Sequence, residues 1–293
     1  MTDKAPHILL LGGPTASGKS ARALDWAAQT GGVILNADSM QLYRDVPILT
    51  ARPDAADESK APHVLYGVLG PDQLWSTGDW VRAATPYIEA ALRGDQSLCI
   101  VGGTGLYFLS LTRGLAEIPD IDDAVRQRAR QTYENEGETA VRDLLRTLDP
   151  EAATRIAPND RQRLTRALEV VWQTGTALSD WQKRNVPLLP EGSYSLEILR
   201  PDRDWLYDRC DRRFDLMLGQ GALNEVETLI VQGLQSDWPI LRVLGLAELW
   251  AYVRREMTLA AARDLAKQKT RNYAKRQTTF FGNQFQTAPS HGA

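Results

Sequence analysis

The sequence has few of the residues that form disulfides or bind metals. Its 293 residues include two cysteines, Cys99 and Cys210, and three histidines, His7, His63 and His291. Two cysteines cannot form a disulfide framework or a cysteine-rich zinc site, and isolated histidines do not make a metal cluster. We therefore expect no metal held by protein side chains alone. Cys99, in the apolar run SLCIVGG, is expected to be a small buried residue.

The chain also lacks a long apolar run and a leader. No apolar run approaches the roughly 20 residues needed to cross a bilayer. The N-terminal MTDKAPH has no basic-then-apolar pattern of a targeting signal. The apolar fraction is 43% and the charged fraction 24%, typical of a globular protein. We predict a cytoplasmic protein without a membrane partner, and take a monomer as the default.

The net charge of −3 says little about nucleic acid, but the charge distribution says more. Between residues 260 and 281 there is one acid, Asp264, and six basic residues: Arg263, Lys267, Lys269, Arg271, Lys275 and Arg276. On a helix Lys267, Arg271 and Lys275 lie four residues apart, which places them on one face. This pattern suggests a segment reserved for an anionic partner, although any one of these residues could be an ordinary solvated cation.

The first third of the chain has the pattern of an α/β fold. Apolar runs predict strands at HILLL, at GGVILNADSM ending at Asp38, and at SLCIVGG. SARALDWAAQ and TPYIEAALRGDQ predict helices, the second ending near Gly94. Alternating strands and helices imply a parallel sheet with its ligand site at the carboxyl ends of the strands. The glycine turn after the first strand, Asp38 and Thr104 all fall at such ends.

From about Pro119 the pattern becomes helical. DDAVRQRARQTYENEG, TAVRDLLRTLD and NDRQRLTRALEVVWQTG have helical periodicity, and a strand returns only at SYSLEILRP. We predict a parallel sheet flanked by helices, of the P-loop NTPase type, over residues 1–117 and 195–287. A helical insertion domain would span 118–194, and residues 288–293 would be a flexible tail.

The glycine turn matches G-x-x-x-x-G-K-[ST], a phosphate-binding motif between a strand and a helix. Its residues are Gly13, Pro14, Thr15, Ala16, Ser17, Gly18, Lys19 and Ser20. Backbone N–H groups at a helix N-terminus attract an anion, and Lys19 adds a positive charge. The Ser20 hydroxyl can complete the shell of a Mg²⁺ ion that phosphate oxygens hold.

A nucleotide hydrolase also needs an acid at the end of a strand to hold its metal ion. The later strand ends in CIVGGTG, which has no carboxylate, and the nearest alternative is Asp38 in NADSMQLY. Asp38 could act as a general base beside an anchored leaving group. It could equally cap the next helix.

Several stretches, taken in order, resemble the bacterial tRNA dimethylallyltransferases, also called tRNA isopentenyltransferases. They are GPTASGKS, NADSMQLYRDVPILTARP, PHVLYG, VGGTGLY, NDRQRLTRALEV and TRNYAKRQTTFF, and together they span about residues 8 to 286. A P-loop alone is shared by many families, whereas this ordered set is specific. The resemblance implies transfer of a dimethylallyl group from dimethylallyl diphosphate to the adenosine next to the tRNA anticodon.

The resemblance also assigns roles to residues. The phosphate turn, Lys19 and Mg²⁺ would hold the diphosphate, with Arg213 reaching it. Asp38 would accept the proton of the adenine amine, with Thr104 nearby. The implied contacts to the tRNA anticodon stem-loop are Asp38, Ser39, Met40, Gln41, Thr104, Arg126, Gln162, Arg163, Leu164, Thr165, Arg166, Lys267, Arg271 and Lys275. From sequence alone, Thr104 could instead be a turn residue and Arg213 a solvated cation.

The chain departs from the family pattern at two positions. Leu246, in LRVLGL, replaces a tyrosine, and Phe280 replaces a common tryptophan. Three other functions stay open at this stage. They are an adenylate isopentenyltransferase acting on free AMP, a P-loop small-molecule kinase, and a non-catalytic RNA-binding module. The first would need neither the basic C-terminal helix nor the QRLTR-bearing insertion.

Overall fold

A computed structural model describes residues 8–285, so the predicted tail at 288–293 lies outside the described residues. Five strands form one fully parallel sheet in the order β3-β2-β4-β1-β5. The strands are β1 (Ile8–Gly12), β2 (Val33–Asn36), β3 (His63–Val64), β4 (Leu98–Gly102) and β5 (Ser195–Ile198). The predicted α/β fold is confirmed. The two-residue β3 was not predicted, because it is too short to show a periodicity.

Thirteen α-helices lie within residues 8–285. The five before the helical insertion are α1 (Lys19–Thr30), α2 (Pro47–Thr50), α3 (Ala55–Glu58), α4 (Thr77–Leu92) and α5 (Gly105–Arg113). The next four are α6 (Asp123–Leu148), α7 (Pro150–Arg155), α8 (Arg161–Thr174) and α9 (Leu178–Lys183). The last four are α10 (Arg203–Gln220), α11 (Ala222–Val231), α12 (Leu246–Val253) and α13 (Leu259–Gln284). Short 3₁₀ helices occupy Ser39–Leu42 and Pro239–Arg242.

Helix α4 begins eight residues before the predicted stretch TPYIEAALRGDQ. Its start is fixed by a capping box, in which the Ser76 hydroxyl accepts from the Asp79 N–H and Asp79 accepts from the Ser76 N–H. Pro86 lies inside the helix. The sequence prediction started the helix at Thr85, next to this proline, so the predicted start was wrong by eight residues.

The neighbouring strands β1 and β4 are buried along their whole length, as expected for a parallel sheet covered on both faces. Alternate residues of β1 face different cores. Leu9 and Leu11 pack with Ala23 and Ala27 of α1, whereas Leu10 belongs to the larger core that contains Trp80, Phe108 and Phe281. Residue alternation along the strand thus sandwiches the sheet between helices.

The carboxyl ends of β2 and β4 approach each other very closely. A Cβ atom at Gly102 would collide with the carbonyl group of Ala37. The Thr104 N–H donates to the Ala37 carbonyl oxygen at 3.1 Å. Glycine at 102 is therefore required for this approach, which brings the chain after β2 beside the chain after β4.

The chain divides into two compact units. The first comprises the residues up to Thr112 and those from Leu188 onward, and the second runs from Arg113 to Pro187. The second unit is helical and has its own core, with Leu145, Leu164 and Leu168 completely buried. Its bounds differ by a few residues from the predicted insertion at 118–194. Long helix α6 is interrupted at Gly137, whose φ of 80° is not helical.

A buried carboxylate organises the turns of the helical unit. Asp149 accepts hydrogen bonds from Ala152 N–H at the start of α7 and from the Ser179 N–H and hydroxyl in α9. A buried charge of this kind persists only when hydrogen bonds satisfy it. Asp149 therefore fixes two short helices at once.

No helix among residues 8–285 combines the length and the apolar character needed to cross a membrane.

Candidate active site

The phosphate turn connects β1 to the N-terminus of α1, as its motif predicts. Its backbone has a positive φ at three residues: Gly13 (150°), Ala16 (63°) and Gly18 (95°), the last of which immediately precedes the helix. The Ser17 side-chain oxygen is buried and has no hydrogen-bond partner among the described residues. A buried, unpaired hydroxyl in an anion-binding turn fits a site that takes a polar ligand.

Two cationic side chains form hydrogen bonds to this turn. Lys19 donates from Nζ to the Pro14 carbonyl oxygen at 2.6 Å, and Arg213 of α10 hydrogen-bonds the Thr15 hydroxyl. Burial lowers the pKa of Lys19 from 10.5 to about 8, with Asp38 opposing and Arg213 reinforcing the shift. Burial also lowers the pKa of Arg213. Both cations are thus held at low solvation, where an anionic ligand would repay their desolvation.

Asp38 lies just beyond β2 and uses only one of its two carboxylate oxygens within the described structure. Oδ1 accepts from the Met40 N–H at 3.0 Å and so caps the 3₁₀ helix Ser39–Leu42. The Asp38 N–H is held in turn by Asn36 Oδ1 at 2.8 Å. No described group donates to Oδ2. The capping and general-base interpretations are therefore compatible, because the cap fixes the carboxylate and leaves one oxygen for a proton.

Thr104 lies next to Asp38 in a network of hydroxyl groups. Its Oγ1 accepts from the Ser39 N–H at 2.9 Å and donates to the Ser39 hydroxyl at 3.2 Å. The phenol of Tyr273, on α13, lies close enough to Asp38 and Thr104 for both to influence its pKa, which burial raises. The structure thus brings Thr104, Ser39 and Asp38 together, and adds Tyr273, which sequence reasoning did not single out.

Gln41 has both amide hydrogens engaged. Nε2 donates to the carbonyl oxygens of Thr50 and Ala51, each at 2.9 Å. The amide orientation is therefore fixed, and Oε1 is the atom left to accept a hydrogen bond from a ligand. The hydrogen bonds also tie the segment after Asp38 to the end of α2.

A cavity of about 210 Å³ opens beside this network. Ser39, Met40 and Thr104 contribute to its wall, together with Tyr43, Tyr107 and Arg242. Arg242 ends the 3₁₀ helix Pro239–Arg242 and comes from LRVLGL, the segment in which the chain departs from the family pattern. Leu246, at the position of the family tyrosine, is completely buried. The departure at 246 therefore alters the core, while Arg242 of the same segment reaches the site.

The basic stripe predicted on α13 is only partly open. Lys267 donates to Asp215 Oδ2 at 2.7 Å, and Arg271 forms two hydrogen bonds to Asp211 at 2.6 and 2.7 Å. Both aspartates are on α10, so these cations join two helices. Lys275 is exposed and lines an open groove on α13 with Asn272, Arg276, Thr279, Phe280, Asn283 and Gln284. Carboxylates that are distant in sequence thus engage two of the three predicted members, and Lys275 is the member left exposed. Contact of these cations with tRNA stays a prediction.

The predicted contacts in the helical unit also separate by burial. Leu164 is completely buried and Thr165 is 7% exposed, with its hydroxyl donating to the Arg161 carbonyl oxygen. Their side chains are packed in the core of this unit rather than exposed on its surface. Their contact with RNA stays a prediction. The other four are accessible and paired locally or not at all: Arg126 with Asp123, Arg163 with Asp160, Arg166 with Glu169, and exposed Gln162.

Comparison with known proteins shows the family to which the chain belongs. The model for IPP transferase matches residues 41–284. The tRNA dimethylallyltransferase of Caulobacter sp. (strain K31) is 48% identical over 277 residues, 94% of this chain and 90% of that protein. The tRNA dimethylallyltransferase of Phenylobacterium zucineum is also 48% identical, over 95% of this chain and 90% of that protein. The chain belongs to the IPP transferase family.

Solved structures of related IPP transferases agree in fold. The tRNA isopentenylpyrophosphate transferase of Bacillus halodurans is 32% identical, with a TM-score of 0.67 over 96% of this chain and 88% of that chain. A eukaryotic dimethylallyltransferase acting on tRNA superposes with a TM-score of 0.80 at 25% identity, over 94% of this chain and 69% of that chain. The family resemblance predicted from the sequence is confirmed.

Proposed function

We propose that the protein transfers a dimethylallyl group from dimethylallyl diphosphate to the N6 amine of the adenosine 3′-adjacent to the anticodon in tRNA. The observation that carries this proposal is Asp38. One carboxylate oxygen is fixed by a helix cap, and the other is open beside a phosphate turn with two desolvated cations. A base next to an anchored leaving group suits alkyl transfer to an amine.

The phosphate turn would hold the diphosphate of the donor. In the reaction, the amine nitrogen forms a bond to the allylic carbon while the bond from that carbon to the diphosphate oxygen breaks. Negative charge accumulates on the departing diphosphate. Lys19, Arg213 and the backbone N–H groups of the turn are fixed before reaction and can stabilise that charge. No phosphoryl group is transferred, so the missing acid after β4 is not needed.

A Mg²⁺ ion fits the donor set only together with the substrate. No group of three acidic, histidine or cysteine side chains within the described range could hold a metal. Ser20, exposed at the start of α1, can offer its hydroxyl to an ion that diphosphate oxygens hold. Such an ion would supply further neutralisation of the leaving diphosphate.

Asp38 would take the proton that the amine loses. Its Oδ2 atom is the acceptor, since Oδ1 already binds the Met40 N–H. Fixing the carboxylate by a cap places the base in one orientation before the substrate arrives. The hydroxyl groups of Thr104 and Ser39, which are hydrogen-bonded to each other at 3.2 Å, would lie beside the adenine that is modified.

The RNA must present an unstacked adenine to this site. Anticodon loop bases are unpaired, so splaying one out costs little free energy. We assign the exposed cation Lys275, the groove along α13 and Gln162, Arg163 and Arg166 of the helical unit to contacts with the tRNA. Phosphate contacts of this kind would make binding depend on salt. A cytoplasmic location and a monomeric state stay predictions.

One assay separates this function from its alternatives. The protein is incubated with labelled dimethylallyl diphosphate and Mg²⁺, and with unmodified tRNA, AMP or no acceptor, while hydrolysis of ATP and binding of tRNA are measured in parallel. Label in tRNA is the expected result. Label only in AMP would identify an adenylate isopentenyltransferase, and ATP turnover without prenyl transfer would identify a kinase. Binding of tRNA without either reaction would leave an RNA-binding module.

A further inference from the structure

A glutamine in the middle of α13 bridges two turns of the site. The Thr15 N–H donates to Gln277 Oε1 at 2.7 Å, and Gln277 Nε2 donates to the Gly103 carbonyl oxygen at 3.0 Å. One partner is a donor and the other an acceptor, so the amide can be oriented in only one way. Gln277 therefore links the phosphate turn to the turn that carries Thr104.

The same amide also borders Asp38. A Cβ atom at Gly103 would collide with Gln277 Nε2 and would lie 3.3 Å from Asp38 Oδ2. The amide nitrogen and the open carboxylate oxygen thus flank one small gap. Only glycine at 103 leaves this gap clear.

Gln277 is 5% exposed, on a face of α13 that is otherwise filled by small and apolar residues such as Ala274 and Phe281. A buried amide in that position is costly unless both its polar ends are paired. Here both ends are paired, and both partners are backbone groups of the site. Thr15 is held a second time, through its hydroxyl, by Arg213.

We propose that Gln277 is a positioning residue that couples the diphosphate-binding turn to the half of the site that carries Asp38 and Thr104. The inference rests on the proposed function. The bridging amide holds the phosphate turn, where the diphosphate would bind, at a fixed position relative to the Gly103 turn. The leaving diphosphate and the Asp38 carboxylate are thereby held in the relative position that transfer needs.

The test uses two variants and a matched control in the full-length protein. Gln277→Met keeps the length of the side chain and removes both hydrogen bonds. Gln268→Met makes the same change at an exposed position of the same helix. We expect about a tenfold loss of kcat for Gln277→Met with a smaller change in either KM, as for lost alignment. The control should match the wild type.

The second variant, Gln277→Glu, gives a readout that packing alone would not change. A neutral carboxyl group can still accept from the Thr15 N–H and donate to the Gly103 oxygen, whereas a carboxylate cannot donate. Burial and Asp38 would raise the pKa of this new carboxyl group, and Lys19 and Arg213 would oppose that shift. The rate of Gln277→Glu relative to wild type should therefore rise as the pH is lowered from 9 to 6. Gln277→Met should show no such rise.

The outcomes are distinct from those for the proposed function. If the wild type transfers no label to tRNA or AMP, the proposed function fails and the coupling fails with it. If the wild type is active and Gln277→Met has wild-type kcat, or the Gln277→Glu ratio does not change with pH, only the coupling is overturned. Unfolding of Gln277→Met would be detected by its thermal melt, and Gln277→Glu then decides the question.

Discussion

Two sets of predicted residues differ in their surroundings in the structure: those in turns at the carboxyl edge of the sheet, and those on helices. The turn residues Lys19, Asp38 and Thr104 come together with Arg213 around one site. On the helices, Lys267 and Arg271 form ion pairs, and Leu164 is in a core. The three turn residues adjoin one another as their places after parallel strands predict, whereas among the predicted helix residues Arg213 reaches the site, Lys267 and Arg271 pair with carboxylates, and Leu164 is buried.

The two kinds of position differ in what determines their neighbours. Parallel strands of one sheet end at a shared edge, so residues in the turns there are close to each other whatever the rest of the chain does. The surroundings of a cation on a helix depend on whether a carboxylate of another helix packs beside it, as Asp215 and Asp211 do at Lys267 and Arg271. That depends on helix packing, which spacing does not encode.

The largest expected effect tests the turn residues. Asp38→Asn should lower turnover at least ~10²-fold, since the amide is not basic, while tRNA affinity stays close to that of the wild type. Asparagine keeps a side-chain oxygen for the Met40 N–H, so the cap is preserved and basicity alone is removed. Single-turnover transfer and tRNA binding are measured, with Asp25→Asn on the exposed surface of α1 as control. Wild-type turnover in Asp38→Asn would refute the assignment of the base.

A smaller effect is expected from pH at Lys19. Its pKa of about 8 in the free protein means that the ammonium loses its proton above that pH. Affinity for the diphosphate substrate should therefore be constant below about pH 8 and fall by up to about tenfold per unit above it. Binding is followed from pH 6.5 to 9.5. Lys19→Arg, which stays charged, should flatten this decline, and an equal decline in both proteins would exclude Lys19 as the titrating group.

The cations of α13 should differ among themselves. Lys275→Gln should raise the KM for tRNA a few-fold and reduce the salt slope of binding by about one. Lys267→Gln and Arg271→Gln should instead lower the free energy of unfolding by about 1 kcal/mol each, because they join α13 to α10. Salt titrations and urea melts separate the two effects. If Lys267→Gln lowered the salt slope of tRNA binding as much as Lys275→Gln does, Lys267 would also be an RNA contact.

The smallest effect tests the helical unit. Arg163 is exposed and only locally paired with Asp160. Arg163→Gln should raise the KM for tRNA about twofold to threefold and leave the KM for dimethylallyl diphosphate unchanged, as for one lost phosphate contact. Arg155→Gln, an exposed arginine of α7 in the same unit, is the matched control. Equal effects of both variants would point to general charge rather than a contact.

The sequence predicted much of the fold and the centre of the site. The strand runs, the phosphate turn and the return of the sheet at β5 were visible as apolar periodicity and glycine spacing. Gln277 and Tyr273 were missed because both lie within a run that otherwise has the pattern of a basic helix. A buried glutamine is polar, so no hydrophobic pattern marks it, and its partners are more than 170 residues away.

The alternation of strands and helices in the first third of the chain, the anion-binding turn and the family were determined by the sequence itself, because they depend on local spacing and on motifs that recur in order. Which cations are free and which carboxylate oxygen is open were decided only by the tertiary structure. The same holds for the glutamine that bridges two turns, since these features depend on which groups distant in sequence come to lie within hydrogen-bonding distance. Those contacts form only when α10 and α13 pack beside the edge of the sheet.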